Sequence, residues 1–234
     1  MPRPIHATIS VSALAHNLDV VRRRLAEAAQ AVSGKAPSIW AVIKANAYGH
    51  GIDAALSGFS AAQGLAMLDL AEAVRCREAG WGGPILLLEG FFQPADLELV
   101  DRYHLTTTVH TREQLDMLAH ARLSRRVDIM LKLNSGMNRL GFTPEAYSSA
   151  YARASQLREQ GAVGSVGRMM HFPCADGPQG VAGPLRVFQE TTQGLGNGPI
   201  STCNSAATLS PSLPGISISS NTISGCWART ASST

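Results

Sequence analysis

The sequence predicts an α/β chain built as a (β/α)8-type barrel, with an open doubly wound sheet as the alternative arrangement. Three observations predict it. Short apolar runs alternate with longer amphipathic ones along most of the chain. Residues 38–43 (Ser-Ile-Trp-Ala-Val-Ile) form a continuous apolar run, as expected of a strand buried on both faces. The strand-like runs number about eight, enough to close a ring of parallel strands with helices outside.

In chain order, residues 7–10 read as a strand and 12–29 as a helix with Leu14, Leu18, Val21 and Leu25 on one face. Strand 38–43 is followed by strand 64–67. Asp69 then stands at a helix N-cap position with Glu72 three residues on, the pattern of a capping box. The helix 70–79 stops at Gly80. Strands at 85–88, 106–109, 127–133, 165–169 and 200–202 alternate with helices at 94–103, 111–123, 144–160 and 183–192. The basic pair Arg125-Arg126 reads as a solvated helix end, where cations are favoured. From 210 to 234 the alternation stops: the stretch is rich in Ser and Thr, and Arg229 is its one charge. Ile216 and Ile218 suggest at most one strand there. The division is therefore a barrel over 1–209 and a Ser/Thr-rich tail over 210–234.

Composition excludes several classes. With 45% apolar and 16% charged residues in a chain of 234, wholesale disorder is excluded. A net charge of +3 is too mild for a nucleic-acid or anionic-membrane partner. No apolar run reaches the roughly 20 residues of a bilayer span. Met1-Pro2-Arg3-Pro4 lacks the apolar stretch of a signal peptide, which points to the cytoplasm. Cys76, Cys174, Cys203 and Cys226 lie far apart, with no disulfide framework or zinc spacing, and read as reduced thiols. His50, His104, His110 and His120 fit no metal pattern and read as surface or loop residues, so no metal is expected.

Seventeen Arg stand against three Lys: Lys35, Lys44 and Lys132. Lys44 is the one that follows a buried strand directly, at its C-terminal tip, where parallel barrels build their sites. Apolar surroundings favour its neutral amine, which can attack an aldehyde. Gly49 and Gly51 allow a tight turn after it. The segment Lys44-Ala45-Asn46-Ala47-Tyr48-Gly49-His50-Gly51 closely resembles the pyridoxal-phosphate (PLP) attachment segment of the alanine racemases. Further segments resemble that family in the same order. They are Arg3-Pro4-Ile5-His6-Ala7 with Leu14 and Asn17, Lys132-Leu133-Asn134-Ser135-Gly136-Met137-Asn138-Arg139-Leu140-Gly141, Met170-His171-Phe172, and Asn204-Ser205-Ala206-Ala207.

The resemblance implies a homodimeric, PLP-dependent isomerase that interconverts L- and D-alanine, for cell-wall synthesis or for alanine catabolism. It implies an N-terminal (α/β)8 barrel and a C-terminal β domain. Against the family this chain looks truncated: a barrel incomplete at its C-terminal end, with the β domain absent. Carried over, Lys44 would hold PLP as an internal aldimine and act as one of two bases. Tyr48 would donate a hydrogen bond to the cofactor phosphate, and His171 would lie against the pyridine ring. Ser205 would bind the phosphate, with Asn204 beside it. Arg139 would bond the phenolic oxygen and help place the substrate carboxylate. Lys132 is the possible carbamylated lysine, whose negative charge would orient Arg139.

The resemblance fails at three places. The family's second base is a tyrosine of the C-terminal domain, and none of Tyr48, Tyr103, Tyr147 or Tyr151 fills that place. Pro214-Gly215-Ile216 matches a phosphate-holding segment, but Leu213 stands where the family has its pyridine-contacting arginine. Pro173 and Cys174 replace small residues, with Cys174 read as a quiet packed thiol. The alternatives are a truncated, non-catalytic PLP-binding remnant and a single-barrel PLP-carrier protein. The Lys44 segment argues against the carrier and against a PLP-dependent decarboxylase on a similar barrel.

Overall fold

The period-2 alternation of strand side chains sorts the apolar residues into two layers. The computed structural model describes residues 7–31, 34–173, 175, 177–196, 198–204 and 226–230. Eight strands close a ring in chain order: β1 Ser38–Val42, β2 Gly64–Met67, β3 Ile85–Leu87, β4 Thr106–Val109, β5 Val127–Lys132, β6 Val163–Phe172, β7 Ile200–Asn204 and β8 Cys226–Thr230. Neighbours from β1 to β7 pair parallel. β8 runs antiparallel to both β7 and β1 and fills the gap between them. The barrel thus has seven parallel strands and a reversed eighth.

The outer layer holds α1 Val11–Ala31, α3 Ile52–Gly58, α4 Leu70–Glu78, α5 Asp96–Arg102, α6 Arg112–His120, α7 Pro144–Glu159 and α8 Ala182–Thr192, while the short α2 Lys44–Tyr48 caps the end of β1. Ala41, Leu65, Met67, Ile85, Leu87, Ile129 and Leu131 join one buried cluster with Ala55, Ala73, Leu97, Leu115 and Tyr147 of the helices. The alternate positions Trp40, Val42, Ala66, Leu86, Leu88, Met130 and Met169 form a second cluster inside the ring. Each large apolar side chain so buried contributes about 1.5–3 kcal/mol relative to exposure. Trp40 faces Gly64 across the β1–β2 ladder, and a Cβ built on Gly64 would lie 2.6 Å from the Trp40 ring.

Several expectations are corrected. Residues 7–10 are not a strand: they lead into α1, whose first turn is capped by Ser10 Oγ accepting from Ala13 N at 3.2 Å. No neighbouring strand pairs with them, so their β-branched residues have no ladder to join. The buried face of α1 uses Leu14, Asn17, Leu18 and Val20, with Val21 and Leu25 half-buried. The capping-box reading holds in part: Asp69 accepts from Ala71 N and Glu72 N, but the Glu72 side chain goes elsewhere. Helix α6 ends at His120, so Arg125-Arg126 lies in a loop, with Arg125 Nε 3.9 Å from Asp101 Oδ1. The tail 210–234 contains β8, while Ile216 and Ile218 lie outside the described residues. Among the described residues, no helix is long and apolar enough to cross a membrane.

The Trp40–Gly64 contact gives a stability test. Gly64→Ala forces a methyl into the Trp40 ring, and overpacking of this kind costs about 1–3 kcal/mol. Urea unfolding should show that loss, with a changed tryptophan emission before the transition.

Candidate active site

Side chains that continue the interior register past the strand tips meet at one rim. Lys44 lies two residues beyond Val42, His110 two beyond Thr108, Lys132 two beyond Met130, and His171 two beyond Met169. All four belong to the C-terminal ends of parallel strands. Lys132 is almost fully enclosed, at 3% exposure.

Lys44 opens an unusual backbone segment. Ala45, Asn46, Ala47 and Tyr48 all have φ between 51° and 55°, a left-handed helical turn of non-glycine residues. Such geometry costs L-residues about 1–2 kcal/mol each. Local bonds offset part of it. Ala47 N donates to Ile43 O at 2.9 Å, Gly49 N to Ala45 O at 3.1 Å, and Gly51 N to Asn46 O at 2.9 Å. His50 Nδ1–H donates to Ala47 O at 2.7 Å, and Asn46 Oδ1 accepts from Ile52 N at 3.2 Å, which ties the turn to the start of α3. Asn46 N–H donates to Glu72 Oε1 of α4. Gly49 ends the turn at φ 84°, a conformation open to glycine without penalty. The outcome is that Lys44 Nζ lies 5.7 Å from the centre of the Tyr48 ring, within cation–π range.

Arg139 sits on the loop after β5, which closes on itself. Phe142 N donates to Lys132 O and Asn134 N to Phe142 O, both at 2.9 Å. Inside that loop Asn134 Oδ1 accepts from Gly136 N at 3.1 Å and Asn138 N at 3.0 Å. Arg139 is exposed on this fixed loop, close enough for its charge to act on His171.

His171 reports the electrostatics of the rim. Burial pushes its pKa down to about 4, and the charges of Lys132, Arg139 and Lys44 push the same way. At neutral pH it is therefore an uncharged imidazole among three cations. Its Nε2 is buried and has no hydrogen-bond partner among the described residues. A buried polar atom left without a partner is costly, which marks a place that a ligand completes. His110 was passed over as a loop histidine. It is half-buried, its Nε2–H donates to Glu89 O at 2.9 Å, and burial lowers its pKa with Lys132 adding to the effect. Its position at a strand tip was the available signal. Glu72 was also missed, because its spacing from Asp69 already had a reading.

Of the remaining positions, the Asn204 backbone pairs beside Phe172, one residue past His171. Ser205, Cys174 and Leu213 lie outside the described residues. His104 and His120 are exposed, and no cluster of His, Cys, Asp or Glu suited to a metal occurs among the described residues. Cys76 is a buried free thiol, pushed up to about 11 by burial and then by Glu72.

The family of alanine racemase N-terminal domains matches residues 9–219. The chain belongs to the alanine racemase family. Its relatives include the alanine racemase of Bordetella petrii, 83% identical over 209 residues, 89% of this chain and 56% of that protein. The alanine racemase of Bordetella avium is 66% identical over the same shares. Among solved structures, the biosynthetic alanine racemase of Pseudomonas aeruginosa superposes with a TM-score of 0.76 at 32% identity, over 87% of this chain and 54% of that one. The chain thus spans about half the length of the curated alanine racemases it matches.

The buried neutral imidazole gives a direct test. In an NMR titration in bicarbonate-free buffer, where Lys132 is unmodified, His171 should protonate near pH 4 rather than 6.5, and Lys132→Met should raise the midpoint. The sign for stability follows. Between those values the unfolded chain binds the proton and the folded rim does not. The contribution of His171 is complete above pH 6.5 and is lost as pH falls through about 4.

Proposed function

We propose that this chain forms the cofactor-binding barrel of an alanine racemase, acting on alanine with PLP held at Lys44. The observation that supports it most is the rim itself: Lys44, Lys132 and Arg139 act together on a buried His171 whose Nε2 has no partner among the described residues. That donor set suits a ligand bearing a dianionic phosphate, an acidic phenol and an aromatic ring. When bound, PLP supplies an electron sink that lowers the barrier to losing the proton on the alanine α-carbon.

The protein's own residues divide the remaining tasks. Lys44 anchors the cofactor and moves a proton at the α-carbon on its own face. Tyr48 would donate to the phosphate, a task that the family resemblance also gives to Asn204 and Ser205. His171, uncharged at neutral pH, would back the ring without adding positive charge. Arg139 would bond the phenolic oxygen and orient the substrate carboxylate. Lys132 is carbamylated in this reading. The Lys132 ammonium would lose one proton, and the resulting amine would add to CO2 and lose a second, so that a charge of +1 would become −1. The partners are alanine and a second copy of the chain.

The tyrosines favour a second reading, a barrel that binds PLP without racemising. Tyr147 OH donates to Leu131 O at 3.0 Å, Tyr151 OH to Gly196 O at 3.2 Å, and Tyr103 OH to Glu78 Oε1 at 3.4 Å. Burial also pushes the Tyr147 phenol far up, away from any role as a base. Tyr48 lies beside Lys44, adjacent to the first base rather than opposite it.

With added PLP, the 234-residue chain should develop a lysine-bound cofactor absorbance band that Lys44→Ala abolishes. A band equal in both proteins refutes the assignment of Lys44. A D-alanine assay on the same samples separates the two readings, with racemisation expected to be very low for these residues alone. In bicarbonate, native mass spectrometry should show one added CO2 that is lost in Lys132→Ala. An unmodified mass would remove the carbamate from the scheme.

A further inference from the structure

We infer that Glu72 is a positioning residue: its carboxylate holds the Asn46 N–H and so fixes the left-handed turn that aims Lys44 and Tyr48 into the barrel mouth. The inference rests on the reading of Lys44 and Tyr48 as cofactor-binding residues. The first N–H groups of a helical turn have no acceptor within the turn, whatever its hand. Here Ala47 N reaches back to Ile43 O, and Asn46 N is satisfied from outside by Glu72 Oε1. This bond crosses from one strand–helix unit to the next, joining the backbone just after β1 to the first turn of α4.

The behaviour of Glu72 within α4 supports a dedicated role. A capping box would use its carboxylate on the N–H of Asp69, yet Asp69 caps the helix with its own side chain and Glu72 turns toward Asn46. The second oxygen, Oε2, is buried with no partner among the described residues. A carboxylate serving only the surface of a helix would keep that oxygen in water. The turn it holds includes Ala45, Ala47 and Tyr48, residues with no side-chain amide to ease a positive φ. Without an external anchor, such a segment relaxes toward right-handed or extended backbone, and the Lys44 amine and the Tyr48 ring leave their present pairing.

The test compares wild type, Glu72→Ala and Glu72→Gln. Amide hydrogen exchange is measured on the cofactor-free proteins. Each is then mixed with PLP and trapped with borohydride, and the rate of labelling at Lys44 is read by peptide mass. In Glu72→Ala, exchange at Asn46 should rise about tenfold and Lys44 labelling should slow by a similar factor, as expected for losing a charge-assisted hydrogen bond. Glu72→Gln keeps an acceptor oxygen and should hold both within about threefold of wild type. Three results overturn the inference: no change in Glu72→Ala, a Gln variant as impaired as the Ala variant, or exchange rising equally across the β1–β7 amides. The last marks general destabilisation. An unlabelled Lys44 in wild type defeats the reading of Lys44 as the cofactor lysine. In that case exchange at Asn46 alone decides the role of Glu72.

Discussion

The two-residue period of the strands decides both what fills the barrel and what reaches its mouth. Val42, Thr108, Met130 and Met169 pack inside the ring, and the next in-pointing positions are Lys44, His110, Lys132 and His171. Slipping β5 by one residue would send Lys132 to the layer now held by Leu131 and Leu133, among the helices. The Trp40–Gly64 pairing opposes such a slip on the other side, because the large ring fits only against a residue without a side chain. Core packing and site assembly are therefore one constraint seen at two heights of the same strands.

The electrostatic character of the rim follows from that assembly. Lys132 is buried, and Arg139 is delivered by a loop pinned through the two Phe142 backbone bonds. Concentrating like charges in a half-buried place opposes folding unless something negative completes it. The uncharged state of His171 is one response available within the chain, since an imidazole can give up its proton where a guanidinium cannot.

Much of this was legible in the sequence. The run 38–43 announced a strand buried on both faces, and β1 occupies its first five positions with four of them buried. The motif after it located the rim, because a lysine following an apolar run has only the strand tip to occupy. Other features were not legible, for identifiable reasons. Residues 7–10 have strand composition, but a strand exists only where a partner supplies a ladder. The left-handed turn at 45–48 contradicts local propensity, as segments held by distant groups do, and the group holding it lies in another helix. β8, Cys-Trp-Ala-Arg-Thr, lies in a Ser/Thr-rich stretch without strand–helix alternation, and it joins the ring by antiparallel backbone pairing to β7 and β1. His110 is a loop histidine, as its spacing suggests, but it directly follows β4 and is half-buried, a placement that its spacing to other histidines does not reveal.

The depressed basicity of His171 has a thermodynamic counterpart. Three neighbouring cations lower its proton affinity, so an anion that neutralises them raises it again. Burial remains the larger cause of the depression, so such an anion would offset only the part due to the charges, and by linkage protonation of His171 would favour the anion to the same extent. The ionisation of this one histidine would then register how much negative charge the barrel mouth holds.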